Sequence, residues 1–336
     1  MQATKEEEIN KVEMERPHVV ILGAGASYAS FPNGDKNGIK LPLMNNFIKI
    51  LGLEDLLKKT GIKFESNNFE DIYDKIVKTQ NLEDIQKELE YRVYNYFNNL
   101  DIIDEPTIYD HLLLSLREKD VIATFNWDPF LLQAYYRNGI KGFKLPKLLF
   151  LHGNVAIGYC EEDNIAGVNG HTCKKCNYLF NPTKLLYPIS EKNYNDDDFI
   201  SLQWEQLGNH LKSAFMVTIF GYGAPVSDIS AVELMKNAWG NLDDRNMEQI
   251  EIIDIRNEDE LQEVWNPFIH SHHVYFHKNF YDSFIANHPR RTGEAYLNQY
   301  IYCKFIESNL IPQELSFNEL WKWYDKFLEA EERHSQ

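Results

Sequence analysis

The sequence predicts an α/β fold built on a parallel sheet. Three observations carry the prediction. Short, nearly continuous apolar runs recur along the chain, the pattern of strands buried on both faces. Most of these runs end in a glycine or polar turn, where a sheet of this kind places its ligands. Long stretches of helical spacing separate the runs, the most extended from Leu53 to about Leu116. A length of 336 residues allows one large domain with insertions, or two domains.

The first run is His18-Val19-Val20-Ile21-Leu22, and Gly23-Ala24-Gly25-Ala26-Ser27 follows at once. Glycines allow a tight turn and a close backbone approach to phosphate, and a following helix presents free N–H groups to an anion. The turn lacks the third glycine of the usual dinucleotide fingerprint. A loop from Phe31 to Lys40 is marked by Pro32, Asn33-Gly34 and Asn37-Gly38 and is expected to fold over a ligand or to lie on the surface. Leu41-Pro42-Leu43 ends it, and Met44 to Leu57 reads as helix. From about 45 to 116 the chain reads as a helical insertion.

The second run, Val121-Ile122-Ala123, leads into Thr124-Phe125-Asn126-Trp127-Asp128, with Pro129 suited to the first turn of the next helix. An amide and a carboxylate two residues apart at a strand end are placed to touch a ligand. The plainer role is a turn for Asn126 and a helix cap for Asp128. The third run, Lys147 to Leu151, ends in His152-Gly153-Asn154 and delivers an imidazole to the same edge. Ala214 to Phe220 ends in Gly221-Tyr222-Gly223-Ala224-Pro225, with a helix opening at Ser227-Asp228. Ile250 to Asp254 ends in a carboxylate that suits ribose hydroxyls. Val274-Tyr275-Phe276 is the last run. Its neighbours His270, His272, His273 and His277 form a crowded set that fits a surface feature better than a metal site. From Tyr281 onward the chain reads as helical.

Between the third and fourth runs lies Cys160-x12-Cys173-x2-Cys176. Two thiolates at the Cys173–Cys176 spacing bind one ion from a tight turn, and Cys160 adds a third. His171 is expected to complete the set. Asp163 nearby and Cys303 at a distance are the alternatives. Such a zinc would staple a small module at about 155–195 and have no catalytic part.

The net charge of −17 argues against direct nucleic-acid binding, which needs a basic surface. No apolar run approaches the roughly 20 residues that span a bilayer. The first 16 residues are rich in Glu and Lys, lack an apolar signal core and read as a flexible arm. The four cysteines form no disulfide framework, so a cytoplasmic protein is expected.

In their order, the four strand ends Gly-Ala-Gly-Ala-Ser, Phe-Asn-Trp-Asp, His-Gly and Gly-Tyr-Gly resemble the sirtuin family. They are closer to the sirtuin-like domains of bacterial antiphage defence proteins, which show Gly-Ala-Gly-Ala-Ser, Leu-Pro, Thr-x-Asn-x-Asp and Leu-His-Gly. Here these are residues 23–27, 41–42, 124–128 and 151–153, and the resemblance spans roughly 18–256. It implies a Rossmann-like NAD-binding domain over 17–280, followed by a C-terminal helical segment at 281–336. By position it implies Gly23, Ala24, Gly25 and Ser27 at the NAD phosphates, and Asn126 and Asp128 at the nicotinamide ribose and amide. His152 would be the base, with Gly221 and Gly223 against the cofactor and Asp254 near the adenosine ribose.

The implied activity is NAD glycohydrolysis to nicotinamide and ADP-ribose. NAD-dependent deacylation and a non-catalytic nucleotide-binding module are the alternatives. Three departures from the deacylase pattern favour water as nucleophile: Phe125 and Trp127 around Asn126, Lys40-Leu41-Pro42-Leu43 in the cofactor loop, and the incomplete cysteine ribbon. Since free NADase activity would kill its host, a homo-oligomer, an autoinhibitory loop or a separate sensor such as an ATPase is expected to restrain it.

Overall fold

The structure is a computed structural model that describes residues 2–335 except 190–193, 242, 244, 246, 267 and 270–272. Among the described residues the strands are β1 (Gln2–Ala3), β2 (His18–Leu22), β3 (Val121–Thr124), β4 (Lys147–Phe150), β5 (Ile157–Cys160), β6 (Ile165–Val168), β7 (Asn181–Pro182), β8 (Met216–Phe220), β9 (Gln249–Ile253), β10 (Val274–His277) and β11 (Phe305–Ile306). All six runs singled out in the sequence become strands of one sheet. Its order is β10-β9-β8-β2-β3-β4, and every pairing is parallel.

Chain direction across the sheet reverses beside β2. The next strands, β3 and β4, lie on one side, and β8, β9 and β10 lie on the other. In a doubly wound sheet the ligand crevice opens at such a switch point, beyond the carboxyl ends of the strands. Here that point lies between the Gly23 and Gly221 turns.

The alternation of side chains explains why these runs are mostly apolar on both faces. Val20 and Leu22 of β2 enter a core shared with the insertion and the C-terminal helix. Val19 and Ile21 enter the opposite core, under the helices Asp198–Ser213 and Ile229–Trp239. Both faces of the sheet are covered, and its buried polar residues pair with one another: His18 Nε2 lies 2.8 Å from Thr218 Oγ1, which donates to Glu251 at 3.1 Å.

The insertion is helical as expected, but segmented. Met44 to Leu57 is two helices, Phe47–Leu51 and Glu54–Lys59, parted at Gly52 with φ 63°. Phe69–Val77, Glu83–Asn98 and Ile108–Leu114 follow. Beyond 281 the chain is less helical than its pattern suggested. Short turns of helix and β11 precede one long helix, Phe317–Ser335.

The N-terminal residues, expected as a flexible arm, are packed. β1 pairs with β11 in parallel. A capping box of Thr4 and Glu7 starts the helix Lys5–Asn10. Glu8 on that helix is buried and meets His288 Nδ1 at 2.7 Å. A charge-rich stretch passes for a solvated tail until its one buried carboxylate has a partner. Among the described residues no helix is long and apolar enough to cross a membrane.

Arg290 and Arg291 fasten the C-terminal helix. Both are fully buried, and both meet Glu331, at 2.6 and 2.7 Å. Arg290 also donates to the carbonyls of Leu114 and Leu116, and Arg291 to that of Ile9. One carboxylate thus ties together the N-terminal helix, the insertion and the C-terminus. Glu331→Ala leaves two buried guanidinium groups without it and should cost about 3–5 kcal/mol in urea unfolding. A loss below about 1 kcal/mol, the range of exposed pairs, would refute this account.

Candidate active site

A cavity of about 220 Å³ opens at the switch point. Its wall draws on every strand end singled out in the sequence except that of β9: Gly23, Ala24 and Ser27 after β2, Asn126 and Asp128 after β3, His152 after β4, and Gly221 and Gly223 after β8. The insertion supplies Phe47, Glu70 and Phe97, and the Leu-Pro pair Leu41-Pro42 also contributes.

The β3 turn is held by its own sequence. Phe125 packs into one core and Trp127 into the other. The two rings clamp the backbone from opposite faces and leave Asn126 between them. Asn154 fixes the turn from behind, donating to the carbonyls of Asn126 at 3.2 Å and Asp128 at 2.7 Å. Gly153, at φ 75°, brings it there. A Cβ on that glycine would lie 2.0 Å from the Lys184 carbonyl oxygen.

Asn126 Nδ2 donates to Gly23 O at 2.8 Å, Ser27 Oγ at 2.9 Å and Tyr109 Oη at 3.2 Å. Ser27 Oγ donates to Asp128 Oδ2 at 2.6 Å and lies 2.6 Å from Tyr109 Oη. Asp128 Oδ1 accepts from the Phe130 N–H at 3.3 Å. Asp128 therefore caps the helix and lines the cavity at once. Tyr109 and Asn154 went unassigned in the sequence. Tyr109 carries no motif of its own, while Asn154 is adjacent to the His-Gly pair.

The glycine turns meet each other more than they face the cavity. The Gly23 N–H donates to Phe220 O and the Gly25 N–H to Gly221 O, at 3.0 and 2.9 Å. Gly221 has φ 61°, and a Cβ there would lie 2.3 Å from Ala26 N. Gly25 lies behind the cavity wall rather than in it. Asp254 also lies away from this cavity, with its carboxylate held by Arg256 at 2.8 Å.

His152 is buried. Its ring meets the Phe125 ring edge-on at 4.7 Å and stacks at 6.0 Å on Tyr194. Its Nε2 lies 3.9 Å from Asp228 Oδ1. Burial pushes the Asp128 carboxyl up to about 6, against the bonds from Ser27 and Phe130 that favour its charge. Burial and the Asp128 charge also push the Tyr109 hydroxyl upward, so it stays a proton donor.

Cys160, Asp163, Cys173 and Cys176 form a second cluster, with ligand atoms all within 4.8 Å of one another. The Cys160 and Cys176 Sγ atoms are 3.5 Å apart, and Asp163 Oδ2 is 3.2 Å from Cys173 Sγ. Three thiols and a carboxylate fit a tetrahedral structural zinc. Asp163 takes the fourth place in the cluster, whereas His171 is exposed before Cys173 and lies outside it. Cys303 is exposed and outside the cluster. A bond from the Tyr178 backbone favours the Cys176 thiolate, but burial and the crowding of Cys160, Asp163 and Cys173 push its thiol up to about 12. Such a set ionises readily once a cation is among it. β5, β6 and β7 form the small antiparallel sheet of this module. Of the histidines near β10, His270 and His272 lie outside the described residues. His277 pairs with Glu251 at 2.9 Å, and no metal-binding group forms around it among the described residues.

No family model matches the chain, and no curated protein matches it. Among solved structures it is similar to a Sir2 homologue in complex with NAD, at 15% identity and a TM-score of 0.40, covering 88% of this chain and 91% of that one. It is also similar to a mutant Sir2 homologue in complex with ADP-ribose, at 13% identity and a TM-score of 0.42, covering 96% of each chain. A third is Sir2 bound to an acetylated peptide, at 14% identity and a TM-score of 0.37, covering 86% of this chain and 93% of that one.

Two predictions follow from the cluster and the cavity. Purified protein should carry about one zinc per chain, and Cys173→Ser should lose it while His171→Ala keeps it. Metal analysis decides, and a zinc-free wild type removes the site. For Asp128, the folded-state value stands above the ordinary 3.8, so the fold prefers its protonated form. That contribution is complete below pH 4 and is lost as pH rises through about 6. Between pH 4 and 7 the wild type should lose on the order of 3 kcal/mol relative to Asp128→Asn in urea unfolding. Parallel pH profiles would contradict it.

Proposed function

We propose that the protein is an NAD glycohydrolase that cleaves the nicotinamide–ribose bond to give nicotinamide and ADP-ribose. One observation carries the reading: Asn126 and Asp128 from one sequence motif and His152 from another line one cavity at the switch point of a dinucleotide-type sheet. The ligand-site range of about 300–1,000 Å³ exceeds this cavity's 220 Å³. It would therefore take one end of the dinucleotide.

The wall chemistry suits the nicotinamide end. Glu70, Asp128 and Asp228 line the cavity, and among the described residues no lysine or arginine does. Carboxylates favour a cationic pyridinium over a pyrophosphate. The transition state of glycosyl cleavage also spreads positive charge over the ribose. When the bond breaks, its electron pair leaves with nicotinamide, which departs neutral. Water attacks the anomeric carbon, and its proton passes to His152, a base suited to neutral pH. Asn126, fixed by three hydrogen bonds, orients the ribose or the water without adding charge.

The motif order supports a role as an abortive-infection effector of bacterial antiphage defence, acting in the cytoplasm. Restraint would then come from a homo-oligomer or a separate sensor such as an ATPase. The test is to incubate protein with NAD, alone and with its genomic neighbours' products. Nicotinamide and ADP-ribose should appear, and Asn126→Ala or His152→Ala should lower the rate by at least about a hundredfold. Peptide deacetylation with NAD otherwise spared would establish the deacylase instead. Binding without turnover under any condition would leave a nucleotide-binding module.

A further inference from the structure

Asp228 belongs to no motif identified in the sequence. It is 4% exposed and stands at the start of the eleven-residue helix Ile229–Trp239, where a negative charge is favoured. Its Oδ2 accepts from the Tyr222 hydroxyl at 3.0 Å. Tyr222 is stacked on Phe125 at 4.1 Å, with the rings 3° from parallel. The same Phe125 meets His152 edge-on. One group of rings therefore sets both the carboxylate and the imidazole, and the two stand 3.9 Å apart on the cavity wall.

We propose that Asp228 is the positioning partner of His152: its carboxylate orients the imidazole and stabilises the proton that His152 takes up during turnover. The proposal rests on the NAD glycohydrolase reading for its role in turnover. The pairing itself can be measured without it. A base that receives a proton in a buried site becomes an unsolvated cation, which burial disfavours. A carboxylate beside it reverses that penalty, as the acid of a catalytic triad does for its histidine. Among the described residues, the titratable groups facing this space are Asp228 and Tyr222 from the β8 end, Tyr194 stacked on the ring, Asp128 from the β3 turn and Glu70 from the insertion. Burial and the Asp228 charge drive the Tyr222 hydroxyl well above its ordinary range, so Tyr222 holds Asp228 as a neutral donor. The Asp228 carboxylate lies within 4 Å of the ring nitrogen.

The experiment is a titration of His152 by NMR in histidine-labelled protein, assigned by its absence in His152→Gln. In Asp228→Asn, which can still accept the Tyr222 hydrogen bond, the proton affinity of His152 should fall about tenfold or more. Asp228→Glu keeps the charge and should hold it within about threefold. If the asparagine variant does not fold, Asp228→Glu against Asp228→Gln gives the same comparison. In NAD turnover, Asp228→Asn should lower kcat with KM little changed, and its acidic limb should move to lower pH. An unmoved His152 titration in a folded variant overturns the pairing, whatever the activity. A shifted titration in a protein that never cleaves NAD keeps the pairing and overturns the NAD reading instead.

Discussion

The Ser27 hydroxyl is the joint on which the site depends. A hydroxyl has one hydrogen to give and two lone pairs to fill. Here it donates to Asp128, accepts from Asn126 and meets Tyr109. Those three residues come from the β3 turn and from the insertion, while Ser27 itself follows the β2 turn. Four buried polar side chains thus satisfy one another across three separate segments. A fully satisfied buried network rigidifies, whereas a partly satisfied one is costly. The same saturation limits what the glycine turn does for a ligand. With the Gly23 and Gly25 amides and the Ser27 hydroxyl all engaged inside the protein, the turn serves first as a backbone-to-backbone contact between β2 and β8.

That contact makes the glycines obligatory for a reason the motif does not state. A phosphate cradle and a tight crossing of two turns demand the same residue type. The difference is in the geometry: a Cβ on Gly23 would lie 2.5 Å from Tyr222 Cα, and one on Gly25 2.8 Å from Gly221 Cα. The acidic wall is consistent with this. A carboxyl held near pH 6 by burial and two further carboxylates form a poor surface for phosphate and a good one for a cation. On the proposed chemistry, ionised Asp128 recovers its lost solvation when a positively charged ring arrives.

Much of this was legible in the sequence because backbone rules are local. Apolar runs ending in glycine, asparagine or histidine mark strand ends, and a parallel sheet gathers strand ends on one edge. Residues that act at a distance were not legible. Tyr109 lies 17 residues before Asn126 in a helix whose pattern speaks only of packing. Asp228 reads as an ordinary helix opener, and its proximity to His152 exists only once β4 and β8 are placed across β2. His171 and Asp163 were equally near the cysteines in sequence, and the hairpin of β5 and β6 decided between them. The arm failed for the opposite reason: its charges are real, but one of them, Glu8, is buried against a histidine 280 residues away.

The insertion is therefore part of the site as well as a cover for the sheet. Tyr109 reaches the Ser27 joint, Phe47 and Phe97 press edge-on against Trp127, and Glu70 accepts from Ser227 on the β8 loop at 3.1 Å. A displacement of these helices would loosen Asn126, Trp127 and the cavity wall together, since each of the three rests on them. The Arg290–Arg291–Glu331 assembly grips the end of the helix that carries Tyr109, through the carbonyls of Leu114 and Leu116. The C-terminal helix is thereby tied, through Glu331 and Arg290, to the end of the helix whose first turn carries Tyr109. From Tyr109, one hydrogen bond reaches the residue proposed to orient the ribose.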